Sequence, residues 1–454
     1  MTIEPPTLLR KLGPYDGAAI VVSNVIGGGI FFVPSLVVQR VPDPLAMLGA
    51  WLVGGLLAFA GAMAYAELAA LRPYAGGEYV YLREAYGRLT AFLTGWTSFV
   101  AGFSGAIAAS AVAMAGILGR FIPIAADKTP IFSIPLIFVS LNISPQAVVA
   151  LTPIAALSIV HIAGLSPGRI VQNLLAVLKV VALMTLVAFG FSVGNGTMTN
   201  YSASGDVAVT GWLFALIPVM FSYSGWNAAA YLAEEIRDPG RNVPRALMIG
   251  TASVTVIYLS LNMLYLYAMP IAELGKQNFH IGNVAVERLF GQAVAGLWDG
   301  ASIIMIAASV SAMVFAGPRV YFAMARDGLF FASAGLVHPR FRTPVVAIVS
   351  QALWSGFLVL SGTFEQLVEY TGFTILFFSG IAVGALFILR RKNPSEERPF
   401  RVWGYPTVPL FFVVASFMIV INAIQQSPGP SGYGLAIIML GVPIYFVLQR
   451  GRHR

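Results

Sequence analysis

The chain has 454 residues, of which 58% are hydrophobic and only 10% are charged. Soluble proteins carry about 25% charged residues, so this composition excludes an ordinary soluble enzyme or binding domain. The absence of cysteine excludes disulfides, thiol catalysis and thiolate metal sites. A net charge of +8 can indicate nucleic-acid binding, but here the basic residues lie mostly in short loops between apolar runs. We therefore expect a membrane protein without a nucleic-acid partner.

Apolar runs of about 20 residues, the length that spans a bilayer, recur along almost the whole chain. We predict an all-α polytopic fold with about twelve membrane-spanning helices. The proline-rich stretch 119–145 is predicted to be an outer loop with a partly buried segment rather than a thirteenth span. The predicted spans are 16–40, 44–70, 90–118, 146–165, 170–194, 211–233, 244–270, 295–325, 343–361, 365–389, 405–423 and 433–449.

Lys and Arg are distributed unequally between the two sides of the predicted membrane. Of the 27 basic residues, 21 lie on the side of the N-terminus, five lie on the other side, and Lys179 lies inside a span. An excess of Lys and Arg marks cytoplasmic loops. We therefore expect both termini in the cytoplasm and the chain in the cytoplasmic (inner) membrane.

Two predicted spans are interrupted near their middle. The first contains three consecutive glycines at 27–29, and the sixth contains Ser-Tyr-Ser-Gly-Trp at 222–226. Each glycine inside a helix costs about 1 kcal/mol relative to alanine. Unwound backbone is tolerated inside a membrane only where it lines a cavity or is buried in protein. Two breaks at matching positions predict a transporter whose substrate binds between them.

The five-span offset between the breaks predicts two repeats of five helices with opposite orientation in the membrane, because five is odd. The first repeat is expected at 16–194 and the second at 211–389. A cytoplasmic tail at 1–15 precedes them, and two further helices with a cytoplasmic tail follow at 390–454.

The ends of broken helices can bind a zwitterion. Free N–H groups around Gly27, Gly28 and Gly29 suit a carboxylate. Free carbonyls suit an ammonium group, and such a ligand is an α-amino acid or another small zwitterion. Phe221 is expected either to pack in the core or to gate the substrate, whereas core packing is expected for Trp226. The carbonyl groups proposed for the ammonium belong to Val25, Ile26, Phe221, Ser222 and Ser224.

Lys179 lies near the centre of the fifth predicted span. A charge there costs at least about 2.5–3.5 kcal/mol, so we expect it to face the protein interior. It is interpreted either as a fixed cation that holds the first span or as a proton carrier. Glu67 is interpreted as an ion-pair partner of Arg72 or as a proton site. Glu234 and Glu235 are expected in a solvated loop of ion pairs.

Several motifs resemble the amino acid–polyamine–organocation superfamily and, within it, a bacterial member of the L-type amino acid transporter branch. The resemblance covers about residues 10–450, and the sixth-span motif is its most specific part. The motifs are V-I-G-G-G-I-F at 25–31, Y-A-E-L at 65–68, G-G-E-Y at 76–79, F-S-Y-S-G-W-N at 221–227, E-E-I at 234–236 and R-N-V-P at 241–244.

The resemblance implies a carrier of neutral amino acids that works by alternating access without sodium. It implies that Gly28 and Gly29 bind the substrate carboxylate. It also implies that Lys179 occupies the place of a sodium ion, with Ser309 as its partner. The residues implied around the amino group are Val25, Ile26, Phe221 and Ser224, with Phe221 as a gate.

Two departures from the family pattern matter. Gly28 stands where many relatives have serine, so carboxylate binding is left to the backbone. Without cysteine, the chain cannot form the disulfide to a heavy chain that animal members use, and it is expected to work alone. No cofactor and no metal site are predicted.

Several alternatives remain open. Exchange and proton coupling both fit the motifs. A carrier of cationic amino acids or polyamines is the alternative within transport, although no acidic residue is evident in the middle of the relevant spans. A membrane-bound amino acid sensor is the alternative from another class. A membrane enzyme is not expected, because no catalytic constellation is evident.

Overall fold

The computed structural model describes residues 7–136, 139–202, 205–277, 281–362, 364–426 and 428–450, and almost all of its regular structure is helical. In these ranges nine helices are long and apolar enough to cross a membrane, and the number is ten when the bent pair Pro14–Val25 and Gly29–Val38 is counted as one span. The shorter apolar helices Val209–Tyr223 and Val345–Ser361 coincide with the sixth and ninth predicted spans. The predicted all-α polytopic fold is therefore confirmed.

Helices of the first half begin where the sequence offers suitable caps. The Asp43 side chain accepts from the Ala46 N–H, and the Ser144 side chain accepts from the Ala147 N–H. Proline follows each cap, at a position where no helical N–H is needed. The helices are α1 (Pro14–Val25), α2 (Gly29–Val38), α3 (Pro44–Leu71), α4 (Glu78–Tyr86), α5 (Arg88–Thr97), α6 (Phe103–Leu118), α7 (Pro145–Ile162) and α8 (Leu165–Val193), with a π-helical turn at Ser98–Gly102.

The second half repeats the pattern of long helices with short connections. Its helices are α9 (Val209–Tyr223), α10 (Ala228–Tyr231), α11 (Pro239–Ala268), α12 (Ile271–Leu274), α13 (Ile281–Phe290), α14 (Gln292–Ala316), α15 (Pro318–Arg326), α16 (Val345–Ser361), α17 (Phe364–Lys392), α18 (Thr407–Gln426) and α19 (Pro428–Arg450). Short 3-10 helices lie at Pro123–Ala126, Met198–Ser202, Ala233–Glu235 and Ala332–Gly335.

The described residues of the stretch 119–145 form a loop with an antiparallel hairpin. Its strands are β1 (Phe132–Pro135) and β2 (Ser140–Ile143). The prediction of a partly buried segment is wrong for β1, because all four of its residues are exposed. The second strand, by contrast, contacts α7 and α16 and is half-buried at three of its four residues.

Packing among the helices supports the predicted pair of repeats. The second, third and fourth predicted spans pack against the seventh, eighth and ninth, as α3 on α11, α6 on α14, and α7 on α16. In reciprocal fashion, α1 packs on α11 and α9 packs on α3. A pseudo-two-fold axis produces such pairs. The repeat boundaries 16–194 and 211–389 stay a prediction.

Loops predicted to share one side of the membrane are joined by ion pairs. On the N-terminal side, Arg72 lies 2.6 Å from Glu84 and 2.5 Å from Glu396. On the other side, Arg120 lies 2.8 Å from Asp299. Each ion pair in the described part of the chain joins residues of one predicted side. This arrangement supports the predicted topology.

Glu67 is an ion-pair residue, but its expected partner Arg72 is wrong. Its buried carboxylate lies 2.6 Å from the Arg390 guanidinium and 3.2 Å from that of Arg398. The Val402 N–H also donates to it, at 2.7 Å. The end of α17 and the segment after it lie close to the end of α3, and this long-range approach determines the pairing.

We expect Glu67→Ala to lower the free energy of unfolding by about 3–5 kcal/mol, because it leaves two guanidinium groups without their buried partner. Thermal unfolding in detergent measures the change. Glu84→Ala is the matched control, since its more exposed ion pair contributes only about 0–1 kcal/mol. Equal losses in the two variants would contradict the assignment.

Candidate functional site

The first break separates α1 from α2, whose axes differ by 50°. The Gly27 N–H donates to the Val25 carbonyl, 2.8 Å away, and the chain then turns. Gly28 is exposed although it lies in the middle of a span. No acceptor in the described part of the chain pairs with the N–H groups of Gly28 and Gly29. These two donors are therefore free to bind a carboxylate.

The second break separates α9 from α10 and contacts the first. Gly225 has a φ of +98°, a conformation that favours glycine. A Cβ atom on Gly29 would lie 2.8 Å from the Ser222 Oγ, whereas one on Gly28 would meet nothing closer than Phe32, at 4.0 Å. Gly29 thus permits close packing of the breaks, while Gly28 leaves space above its backbone.

Lys179 on α8 is completely buried and points at the first break. Its ammonium donates to the carbonyls of Ser23, at 3.0 Å, and Ile26. It also donates to the Ser309 hydroxyl on α14, at 2.8 Å. Ser309 in turn donates to the Ile26 carbonyl, at 2.8 Å. All three ammonium protons therefore have oxygen acceptors, and one side chain joins three spans.

Tyr258 on α11 was not predicted as a site residue. Its hydroxyl lies 2.9 Å from the carbonyl oxygen of Val25 and 2.9 Å from that of Ser222. Because it has one proton, it donates to one carbonyl at a time, and it bridges the two breaks. No sequence pattern distinguishes this tyrosine from its neighbours Tyr265 and Tyr267.

The carbonyls of Val25 and Ile26 thus already accept hydrogen bonds from the protein. A substrate ammonium would have to share them with Tyr258, Lys179 and Ser309. Their predicted role in ammonium binding, like those of Phe221, Ser222 and Ser224, stays a prediction.

The aromatic residues of the second break differ in their surroundings. Trp226 is buried, and its ring centroid lies 4.8 Å from that of Tyr65 and 5.7 Å from that of Phe412. This is the expected core packing. Phe221 is only half-buried, 6.4 Å from the Phe32 ring. Phe32 in turn lies next to Gly28, so the two rings stand beside the free backbone donors.

Asn24 is a second residue that the sequence analysis missed. It is half-buried, and a Cβ atom on Gly225 would lie 3.1 Å from its side-chain carbon. Its amide therefore lies against the second break from the last turn of α1. The available signal was a polar residue directly before the glycines in an otherwise apolar span.

Glu78, at the start of α4, is the third missed residue. The Tyr65 hydroxyl donates to its buried carboxylate at 2.7 Å, and the Asn227 amide donates at 3.1 Å. Tyr231 and Tyr81 also face the carboxylate, and burial raises the pKa of Glu78. None of the ion pairs within the described ranges includes it. Glu78 anchors the start of α10 without a cationic partner.

The N-terminal side of the site is sealed. Leu12, before α1, forms a parallel bridge with Ile236, and its N–H donates to the Glu235 carbonyl at 3.0 Å. The Glu235 carboxylate pairs with Arg319 at 2.7 Å, and both side chains are buried. The expectation of a solvated loop is therefore wrong for Glu235, because the N-terminal segment and α15 cover it.

These features define a class: polytopic helical transporters with two discontinuous helices that meet at the centre. The amino acid permease family matches residues 12–448, so the chain belongs to that family. The membership confirms the resemblance to the amino acid–polyamine–organocation superfamily.

Similar proteins match nearly the whole chain. It is 28% identical to the serine/threonine exchanger SteT of Bacillus subtilis, over 99% of both chains. It is 27% identical to the human large neutral amino acids transporter small subunit 2, over 98% of this chain and 82% of the relative. It is 28% identical to the mouse Asc-type amino acid transporter 1, over 98% of this chain and 82% of the relative.

We expect Gly28→Val to abolish substrate binding without unfolding the protein, because the new side chain would fill the space above the free N–H groups. Gly29→Ala should instead lower the thermal unfolding midpoint, because its Cβ collides with Ser222. Isothermal titration with substrate and thermal unfolding separate the two effects. Gly49→Val, at an open position within α3, is the control. Wild-type affinity in Gly28→Val would contradict the carboxylate assignment.

We expect Lys179→Ala to reduce transport by at least about tenfold, because it removes charge-assisted hydrogen bonds to the break. Substrate binding should change less. Ser309→Ala, which removes one of three acceptors, should have a smaller effect. Uptake rates and equilibrium binding on the same preparations test this. Unchanged uptake by Lys179→Ala would assign the lysine a packing role only.

Proposed function

We propose that this protein is a sodium-independent exchanger of neutral L-amino acids in the cytoplasmic membrane, with both termini in the cytoplasm. The observation that carries the proposal is the ammonium of Lys179 at the first break. Its acceptors are two backbone carbonyls and a hydroxyl. Unwound carbonyls of this kind coordinate sodium in related folds. Because the Lys179 ammonium already binds these oxygens, a sodium ion is not needed there.

The preference for neutral amino acids is supported by the charge of the site. The broken segments 23–29 and 221–227 contain no acidic residue. A cationic side chain or a polyamine would need a carboxylate within reach. Glu78 is the acidic residue that contacts the second break, and its carboxylate is already bound by Tyr65 and Asn227. The names of the three relatives, all amino acid carriers, agree with this preference.

Transport would proceed by alternating access between two repeats, 16–194 and 211–389. The described conformation is closed on the predicted cytoplasmic side by the Leu12–Ile236 bridge and the Glu235–Arg319 pair. Opening to the cytoplasm requires both to separate. We propose that the chain carries out this cycle without a disulfide-linked heavy chain, without a cofactor and without enzymatic activity.

Proton symport is the second candidate, and Glu78 is the observation that favours it. A buried carboxylate without a cationic partner can take up a proton, and burial raises its pKa. If protonation of Glu78 drives transport, uptake should fall as pH rises through this raised pKa. Glu78→Gln, which mimics the protonated form, should then remove the pH dependence.

Proteoliposomes test both mechanisms. Uptake of labelled L-serine, L-leucine, L-arginine and putrescine is measured with and without sodium, with and without unlabelled amino acid inside, and with and without an imposed proton gradient. We expect uptake only when internal amino acid is present, and the same exchange rate at each pH in wild type and Glu78→Gln.

Uptake into empty vesicles driven by the proton gradient, and lost in Glu78→Gln, would overturn exchange in favour of symport. A requirement for sodium would contradict the assigned role of Lys179. Preferential uptake of L-arginine or putrescine would contradict the neutral substrate class.

A further inference from the structure

A groove of about 520 Å³ opens at the predicted cytoplasmic end of α11, away from the substrate site. One wall is the first turns of α11, with Arg241 and Arg245. The other wall is the segment after α17, with Pro399 and Phe400. A Cβ atom on Gly240 would lie 2.8 Å from Pro399, so the walls touch at the base. The groove is therefore a built feature of two packed segments.

The two arginines in the groove have no carboxylate partner. Neither occurs among the ion pairs of the described ranges, whereas Arg319 and Arg390 on the same side are both paired. Like charges four residues apart on one helix repel each other. Asp238 lines the same groove, but among the described residues it forms no ion pair with either arginine. The groove thus retains a net positive charge suited to an anion.

The two arginines lie on an exposed face of α11. Further along the helix, the same face is apolar. Ile249, Ala252 and Val256 follow Arg241 and Arg245 at helical spacing, and all five residues are exposed. Successive residues of this set are three or four positions apart, so they lie on one side of the helix. No protein covers this face in the described part of the chain, so in a membrane lipid chains must cover it.

The length of α11 places the arginines at headgroup level. Its 30 residues extend over about 45 Å, whereas the hydrocarbon core of a bilayer is about 30 Å thick. The apolar part begins after Arg245, so the first two turns lie in the headgroup region. Trp403, 60% exposed on the segment that forms the other wall, is a residue type enriched at this interface.

We propose that this groove binds an anionic glycerophospholipid of the cytoplasmic leaflet. Its phosphate lies between Arg241 and Arg245, and an acyl chain follows Ile249, Ala252 and Val256. Charge complementarity selects the headgroup, and the continuous apolar face selects a lipid over free phosphate. This site is independent of the amino acid that the protein transports.

Native mass spectrometry of the purified full-length protein tests the proposal, with phosphatidylglycerol and phosphatidylcholine of the same acyl chains. We expect tighter binding of phosphatidylglycerol by wild type. R241Q/R245Q should weaken it about 30-fold, and each single variant about fivefold. The single variants carry the test if the double variant does not purify as a monodisperse protein. A large excess of inorganic phosphate should not compete.

Asp238→Asn tests the site by an increase in affinity for phosphatidylglycerol rather than a loss. It removes the carboxylate from the groove and should strengthen phosphatidylglycerol binding by up to about fivefold. Asparagine tolerates the left-handed backbone of this position, where φ is +44°.

The matched control is R340Q/R391Q, which removes two exposed charges outside the groove on the same side. An equal loss of affinity in this control would overturn the site in favour of non-specific attraction. Equal binding of both lipids by wild type, or displacement by inorganic phosphate, would also overturn it.

Discussion

The N–H and C=O groups of unwound backbone inside a membrane need hydrogen-bond partners from the protein itself. The rest of this structure depends on that constraint. A buried polar group without a partner costs about 1–3 kcal/mol. Lys179 and Tyr258 supply hydrogen bonds to the carbonyls that the first break leaves free. The break in turn supplies the acceptors without which a lysine at mid-depth would not be tolerated. Each feature therefore stabilises the other.

The carbonyls and the N–H groups of the first break differ in whether the protein already binds them. Its carbonyls are occupied by Lys179, Ser309 and Tyr258, whereas the N–H groups of Gly28 and Gly29 have no acceptor among the described residues. The site therefore presents unfilled donors and largely filled acceptors. A carboxylate gains new hydrogen bonds on binding, whereas an ammonium group must share existing acceptors. We therefore expect the carboxylate of an amino acid to be its stronger anchor at this break.

The spans, the two breaks and the burial of Lys179 could be predicted because each depends on a local run of residues. The partners of Glu67, the bridge made by Tyr258 and the environment of Glu78 could not. Tyr258 is 233 residues from Val25, and Arg390 is 323 residues from Glu67. Such contacts depend on how separate helices are aligned along one another. Composition places helices in a membrane, but it does not determine their relative height or rotation.

The contact of Lys179 with the break, at the C-terminal end of α1, has an energetic consequence. α1 is a stiff segment of 12 residues, held at one end by Leu12 and Ile236 and at the other by the ammonium. If the segment swings when the Leu12–Ile236 bridge opens, its N-terminal end moves far while the break moves little, so the lysine contacts can persist. A sodium ion in that place could leave toward either side and contribute the energy of its gradient. A tethered ammonium cannot leave, so it stabilises the break but performs no osmotic work. In the proposed function, net accumulation is then driven by the counter-transported amino acid or by protons bound elsewhere.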